Sequence, residues 1–112
     1  MNIDDLLKIA VERKASDLHL KVGNHPILRI NGMLNPLVEL KRLMQEDTIA
    51  MSAAVMSKEQ KDRFKEEHEI DLAYSVQGLG RFRCNIFQQL KTYNSYAYRW
   101  TCWDFIIFHR NS

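Results

Sequence analysis

Two arginines in the second half of the chain have the spacing that phosphate binding requires. In the segment 80–88, GRFRCNIFQ, apolar and polar residues alternate, which predicts a strand with one buried face. Arg81, Arg83 and Asn85 then share the outward face, about 7 Å apart in steps of two residues. Because arginine offers a planar fork of donors to phosphate oxygens, this row suits a polyanion. The alternative is that exposed arginines on an edge strand only discourage edge-to-edge pairing.

A third arginine lies in an earlier segment with the same alternation. Residues 15–37, ASDLHLKVGNHPILRINGMLNPL, predict three short strands, and Arg29 takes an outward position on the second. The dipeptide Asn31-Gly32 favours a type I′ turn into the third strand, because both central residues of that turn need positive φ. The sequence therefore predicts a hairpin that carries one candidate anion contact.

The other reactive side chains lack partners at the spacing that catalysis or metal binding requires. His19 and His25 lie six residues apart, which is no standard spacing for metal ligands. Asp17 and Asp71 take outward strand positions, where we expect solvated or salt-bridged carboxylates and not a catalytic pair. Cys84 takes the inward position of a small core residue. We therefore predict no catalytic residue and no metal site.

Composition and motifs narrow the classes of function. The chain contains neither GxxxxGK[ST] nor GxGxxG, so we expect no phosphate loop. Its 112 residues suit one small domain, and a net charge of +2 is too weak to indicate nucleic acid or an anionic membrane as a partner. No basic segment followed by an apolar run opens the chain, so no signal peptide is expected. Two distant cysteines without a CxxC pattern favour a reducing cytoplasm.

The elements around these arginines predict an α+β domain. Apolar residues at helical spacing predict a helix over 3–11, with acidic residues in its first turn. A second helix is predicted over 49–56, capped by Asp47 or Thr48. The capping-box sequence SKEQ opens a third, charged helix over 57–67. Strand patterns before and after these helices predict an antiparallel sheet with helices packed against it.

Two blocks of the sequence resemble the N-terminal domain of the type II/IV secretion ATPases, in the branch that powers type IV pilus retraction and twitching motility. The first block is ASDLHL at 15–20, followed by Gly23, Pro26 and RING at 29–32. The second block is EIDLAY at 69–74, followed by RFRCNIFQ at 81–88. The resemblance covers residues 1–89.

The resemblance implies a PAS-like antiparallel sheet with an N-terminal helix and two helices inserted between strands. In that family a RecA-like ATPase domain follows, which binds ATP with magnesium and assembles into hexamers. The residues implied to contact the nucleotide phosphates are Arg81, Arg83 and Arg29, with an electrostatic role and no proton transfer. The implied partners are the RecA-like domain, neighbouring subunits and, indirectly, the inner-membrane platform of a pilus or secretion system, with no nucleic acid.

This chain lacks the Walker A and B motifs of that ATPase core. We therefore expect that it does not hydrolyse ATP, that it binds no nucleotide tightly on its own, and that it is a truncated member of a cytoplasmic motor family.

The last part of the sequence departs from the family pattern. After Leu90 the chain reads KTYNSYAYRWTCWDFIIFHRNS, and seven of its eleven aromatic residues fall within 93–112. We predict a PAS-like domain over 1–100, with a final strand through about Trp100. The aromatic tail over 101–112 is predicted to have a different origin, for example a frameshifted or aberrantly terminated gene.

Three functions are compatible with these patterns. The first is the N-terminal domain of a pilus retraction motor, acting in nucleotide sensing and coupling between subunits. The second is a free-standing PAS-like sensor, which would need a ligand cavity, although the sequence offers no residue that anchors a cofactor. The third is a protein-interaction module that assembles with full-length motor subunits.

Overall fold

The computed structural model describes residues 2–93 and 97–110, and side chains from 2 to 88. The first helix has an apolar stripe, and the third has a capping box at its N-terminus. The helices are α1 (Ile3–Glu12), α2 (Gln45–Val55) and α3 (Lys58–Glu67). Among the described residues, no helix combines the length and apolar character that crossing a membrane would need.

Six strands form one antiparallel sheet with the order β3-β2-β1-β6-β5-β4. The strands are β1 (Asp17–Lys21), β2 (Ile27–Ile30), β3 (Met33–Pro36), β4 (Glu69–Val76), β5 (Gly80–Tyr93) and β6 (Ala97–Arg110). Helix α1 precedes the sheet, and α2 and α3 are inserted between β3 and β4. The last strand lies between the first strand and the preceding hairpin. The predicted PAS-like α+β class, with one N-terminal and two inserted helices, is confirmed.

The core lies between one face of the sheet and the helices. Alternate residues of β1 and β5, such as Leu18 and Phe82, are buried and pack in one cluster with Leu6 and Leu7 of α1. Fully burying one such side chain contributes about 1.5 to 3 kcal/mol relative to leaving it exposed. The period-2 patterns therefore assigned the buried face correctly, and the opposite face is left for other contacts.

The N-terminal caps of the two inserted helices differ from each other. Helix α3 begins as predicted: Ser57 Oγ accepts from the Gln60 N–H at 3.2 Å, and Gln60 Oε1 accepts from the Ser57 N–H at 2.8 Å. For α2 the prediction of Asp47 or Thr48 as cap is wrong, because the helix begins at Gln45 with Met44 as cap. Asp47 instead accepts the Met44 N–H at 2.8 Å from inside the first turn.

The hairpin turn and the last strand also test the sequence predictions. Asn31 and Gly32 have φ values of 52° and 79°, so the predicted turn with two positive φ angles is confirmed. The final strand does not end near Trp100 but continues to Arg110. It continues because its backbone pairs with β5 on one side and with β1, from Asp17 to Lys21, on the other. A separate origin of 101–112 stays a prediction, and 111–112 lie outside the described residues.

Candidate functional site

The strand register places the predicted arginines on one face of the sheet. Arg29 lies opposite Asp17, Asp17 opposite Phe108, and Phe108 opposite Arg83 in the backbone ladder. Residues in one such row belong to the same face. Arg29 and Arg83 therefore share the face opposite the helices, three strand spacings or roughly 14 Å apart. Arg81 lies on this face as well, two residues before Arg83 on β5.

Arg81 and Arg83 meet at an open cleft beside the edge strand β4. The cleft has a volume of about 300 Å³ and is lined by Asp71, Leu72, Ala73, Arg81, Phe82 and Arg83. Its lining carries two guanidinium groups and one carboxylate, so its net charge is positive. An open, weakly positive cleft of this kind can contact an anion that another surface holds in place.

Arg83 is bound to Asp71 within this cleft. Its Nε donates to both carboxylate oxygens at 3.1 Å, and its Nη2 also donates to Oδ2. The hydrogen bond and the charge of Asp71 raise the pKa of the Arg83 guanidinium above its ordinary value. Both side chains are about half exposed. Asp71 is therefore salt-bridged, one of the two states expected for it.

Arg81 is exposed at the other end of the cleft. Within the side chains described, residues 2–88, we find no hydrogen bond or ion pair for its guanidinium.

Arg29 is held apart from this pair. Its Nε lies 3.4 Å from the Asp17 carboxylate, and its Nη1 donates to the Gly32 carbonyl oxygen at 3.3 Å. These contacts tie the side chain to β1 and to its own hairpin turn. The structure thus brings two of the three predicted arginines into one cleft and leaves the third on the same face at a distance.

A polar cluster around Asp17 was missed by the sequence analysis. Asp17 is only 7% exposed, and its carboxylate accepts from Ser16 Oγ at 2.6 Å and contacts His19 Nε2. Burial alone would raise the pKa of this carboxyl, but the hydrogen bonds of Ser16 and His19 and the charges of His19 and Arg29 hold it below its ordinary value. The signal that could have indicated the cluster is the Ser-Asp-x-His spacing on β1, opposite an arginine.

The Asp17 cluster does not have the geometry of a nucleophilic site. Ser16 donates to Asp17, whereas an activated serine would be bonded to the histidine. His19 is paired with Asp17 through Nε2. His25 contacts the Leu40 carbonyl oxygen at 2.7 Å through Nδ1.

Cys84 is a core residue, as its inward position predicted. Its side chain is fully buried, and burial together with the charge of Asp71 raises its pKa to about 12. The thiol is therefore protonated at neutral pH and is not a nucleophile. Among the side chains described, no group of three or more His, Cys, Asp or Glu residues could hold a metal ion.

Comparisons with known proteins give relatives among pilus ATPases. Over 89 residues, or 80% of this chain, it is 36% identical to the type IV pilus ATPase PilU of Pseudomonas aeruginosa. It is 35% identical over the same length to the type IV pilus retraction ATPase PilT of that organism. The chain spans only about a quarter of these relatives, 23% and 26% of their lengths. No family model matches it.

Solved structures extend the similarity to the whole chain. The crystal structure of the pilus retraction motor PilT with bound ADP superposes on all of this chain with a TM-score of 0.84 and 31% identity, and 30% of the PilT chain is covered. The Legionella pneumophila ATPase DotB has a TM-score of 0.77 over 98% of this chain and 28% of its own. At 16% identity, the DotB match shows a shared fold alone.

The fold and these matches define the class of the chain as an N-terminal domain of a secretion or pilus ATPase. More narrowly, the chain is a PilT-like N-terminal domain, and the predicted resemblance is confirmed.

Proposed function

We propose that this chain acts as the nucleotide-sensing domain of a PilT-like hexameric motor in the cytoplasm. In this proposal Arg81 and Arg83 contact the phosphates of ATP that a RecA-like ATPase domain holds with magnesium. Arg29 is a third contact on the same face. The domain hydrolyses no ATP itself and couples the nucleotide state to neighbouring subunits and, through them, to the membrane platform of the pilus or secretion system.

The observation that carries this proposal is the arrangement of Arg81 and Arg83 at one exposed cleft. Two guanidinium groups on alternate residues of β5 form a positively charged surface on the face that the helices leave uncovered. The relatives supply the context, since PilT is a retraction ATPase whose crystal structure contains ADP. The cleft is too open and too weakly charged to enclose a nucleotide alone, which agrees with a site completed by another domain.

The alternative of a free-standing PAS-like ligand sensor has less support. A sensor needs an internal cavity of a few hundred Å³ for a small molecule. Among the described residues, the cavity between α1 and β1, lined by Leu7, Ala10 and Phe82 among others, measures about 10 Å³, which is room for about one water molecule. A larger space of about 330 Å³ lies along α2 and α3, but it is an open groove on the surface and not an internal cavity.

The test is a chimaeric motor in which this chain replaces the homologous part of Pseudomonas aeruginosa PilT. We expect Arg81→Ala and Arg83→Ala each to lower kcat/KM for ATP by roughly tenfold or more, because charge-assisted hydrogen bonds to phosphate are lost. Arg63→Ala is the matched control, since Arg63 is an exposed arginine on α3.

The steady-state ATPase rate and its Hill coefficient are measured across ATP concentrations. Unchanged rates and cooperativity in both cleft variants, with a hexameric chimaera, would contradict the phosphate assignment. A loss of activity in Arg63→Ala of the same size would show that the substitutions act through assembly instead.

A further inference from the structure

We propose that Asp71 is a positioning residue that orients the Arg83 guanidinium for phosphate while leaving one of its edges open. This inference rests on the proposed function, because it names how one of the proposed phosphate contacts is held.

Asp71 occupies one side of the Arg83 guanidinium group. The carboxylate takes the Nε–Nη2 edge of Arg83, with both Nε distances at 3.1 Å. A guanidinium group carries five donors on two usable edges. The contacts found for Arg83 within residues 2–88 leave Nη1 and the outer hydrogen of Nη2 without an acceptor. The open edge is the one that binds two oxygens of a phosphate end-on.

The strand register explains why Asp71 can hold Arg83 in this way. Asp71 pairs with Asn85, and Arg83 pairs with Ala73, so Asp71 and Arg83 are diagonal neighbours on β4 and β5. Diagonal positions lie roughly 7 to 8 Å apart, which a long arginine side chain can cross. The direct neighbour of Arg83 is a small residue, and Ala73 leaves open the space that becomes the cleft.

The orientation matters because Arg83 is exposed. A free arginine side chain has many rotamers, and ordering it on binding costs entropy. Asp71 fixes the plane of the guanidinium before the phosphate binds. Phosphate binding therefore orders the side chain less and loses less entropy. The carboxylate also cancels one of the two positive charges in the cleft, which limits adventitious anion binding by the domain alone.

A competing role for Asp71 predicts the opposite result. If the carboxylate only blocked Arg83 and had to be displaced by phosphate, removing it would strengthen nucleotide binding. The two roles therefore differ in the sign of the effect on KM.

The orientation itself is tested on the isolated chain by NMR of the arginine Nε–H groups. In the unaltered chain we expect a resolved Arg83 Nε–H signal with slow exchange with water, because Asp71 accepts from that group. Asp71→Asn should accelerate this exchange by roughly two- to fivefold, the range of an exposed ion pair, whereas Asp62→Asn on α3 should leave it unchanged. Equal exchange in the unaltered chain and in Asp71→Asn would overturn the positioning role irrespective of nucleotide.

The kinetic arm uses the PilT chimaera with magnesium ATP as the probe. We expect Asp71→Asn to raise KM by roughly two- to fivefold with a smaller effect on kcat. Asp71→Glu, which retains the carboxylate, should recover part of the loss. In the Arg83→Ala background, Asp71→Asn should have no further effect, because Asp71 acts through Arg83.

The outcomes separate this inference from the proposed function. If Arg83→Ala alone leaves KM and kcat unchanged, the proposed phosphate contact of Arg83 fails. If Arg83→Ala weakens turnover but Asp71→Asn leaves KM unchanged or lowers it, the proposed function stands and the positioning role is wrong.

Discussion

Asp17 shows how a single charged residue can be retained inside a small domain. Its carboxylate is 7% exposed on β1, where Ser16, His19 and Arg29 all contact it. A buried charge without partners would cost several kcal/mol, and these contacts offset the cost of removing the Asp17 carboxylate from water. They also tie the hairpin of β2 and β3 to β1, which positions Arg29 on the outer face.

We expect Asp17→Asn to lower the free energy of unfolding by about 1 to 3 kcal/mol at pH 7, because its partners lose a charged acceptor. The pKa of Asp17 is held below its ordinary value of 3.8, so the folded state binds this proton less tightly than the unfolded state does. The stabilisation is therefore complete above pH 3.8 and is lost as the pH falls through the lower folded value.

Urea denaturation between pH 7 and pH 2.5 checks this prediction. The difference between the unaltered chain and Asp17→Asn should narrow below pH 3.8. The exposed residue Asp62 supplies the control, since Asp62→Asn should change the stability by less than about 0.5 kcal/mol. A difference that stays constant down to pH 2.5 would contradict the pairing of Asp17.

At the scale of the elements, the two inserted helices show what local sequence can specify. The capping box of α3 consists of two hydrogen bonds between residues three apart, so the sequence alone predicted it. At the start of α2, Asp47 accepts the Met44 N–H at 2.8 Å and forms an ion pair with Lys41, which lies outside the helix, at 2.9 Å. Asp47 therefore lies inside the first turn of α2 and not at the N-cap. The prediction, which rested on residue preference, placed the cap too far along the sequence.

The capping box gives a prediction for stability. Ser57→Ala should lower the free energy of unfolding by about 1 kcal/mol, because the Gln60 N–H loses its acceptor. Ser57→Asp keeps an acceptor at this position and should stay within a few tenths of a kcal/mol of the unaltered chain. Urea midpoints at constant m-value measure both changes. Equal destabilisation by alanine and aspartate would show that the hydroxyl is not acting as a cap.

The candidate site was predictable only in part. The alternation along β5 placed Arg81 and Arg83 on one face, because side-chain direction in a strand follows directly from residue parity. The link between Arg83 and Asp71 depends on the pairing register of two strands, which the sequence did not specify. The separation of Arg29 from the cleft depends on two strands, β1 and β6, that lie between β2 and β5.

At the scale of the whole molecule, β6 joins the two halves of the sheet. It pairs with β1 through Asp17–Lys21 and with β5 along its length. The final strand was predicted to end near Trp100, because the aromatic composition of the last residues differs from that of the rest of the chain. Composition does not report on backbone pairing, and the segment from Asp104 to Phe108 supplies the ladder to β1.

We expect a chain ending at Tyr93 to lose cooperative unfolding, because β1 and β5 would each lose a neighbouring strand. Far-UV circular dichroism in urea and the dispersion of amide NMR signals measure this loss. Adding a synthetic peptide of residues 94–110 should restore folded signals, whereas a scrambled peptide of the same composition should not. A shortened chain with an unchanged urea midpoint would contradict the central role of β6.

The position of β6 also constrains the order in which the protein can fold during synthesis. In the pairing of β1 with β6, Leu18 lies opposite Ile107. β1 therefore cannot form this pairing until the residues through Ile107 have been synthesised. Pairings between residues so distant in sequence slow folding, because a long loop must close before the contact forms. Until then, the β1 edge of the β1–β2 hairpin stays unpaired while the chain is still on the ribosome. Chaperones that bind nascent strands would have the most time to bind at this edge.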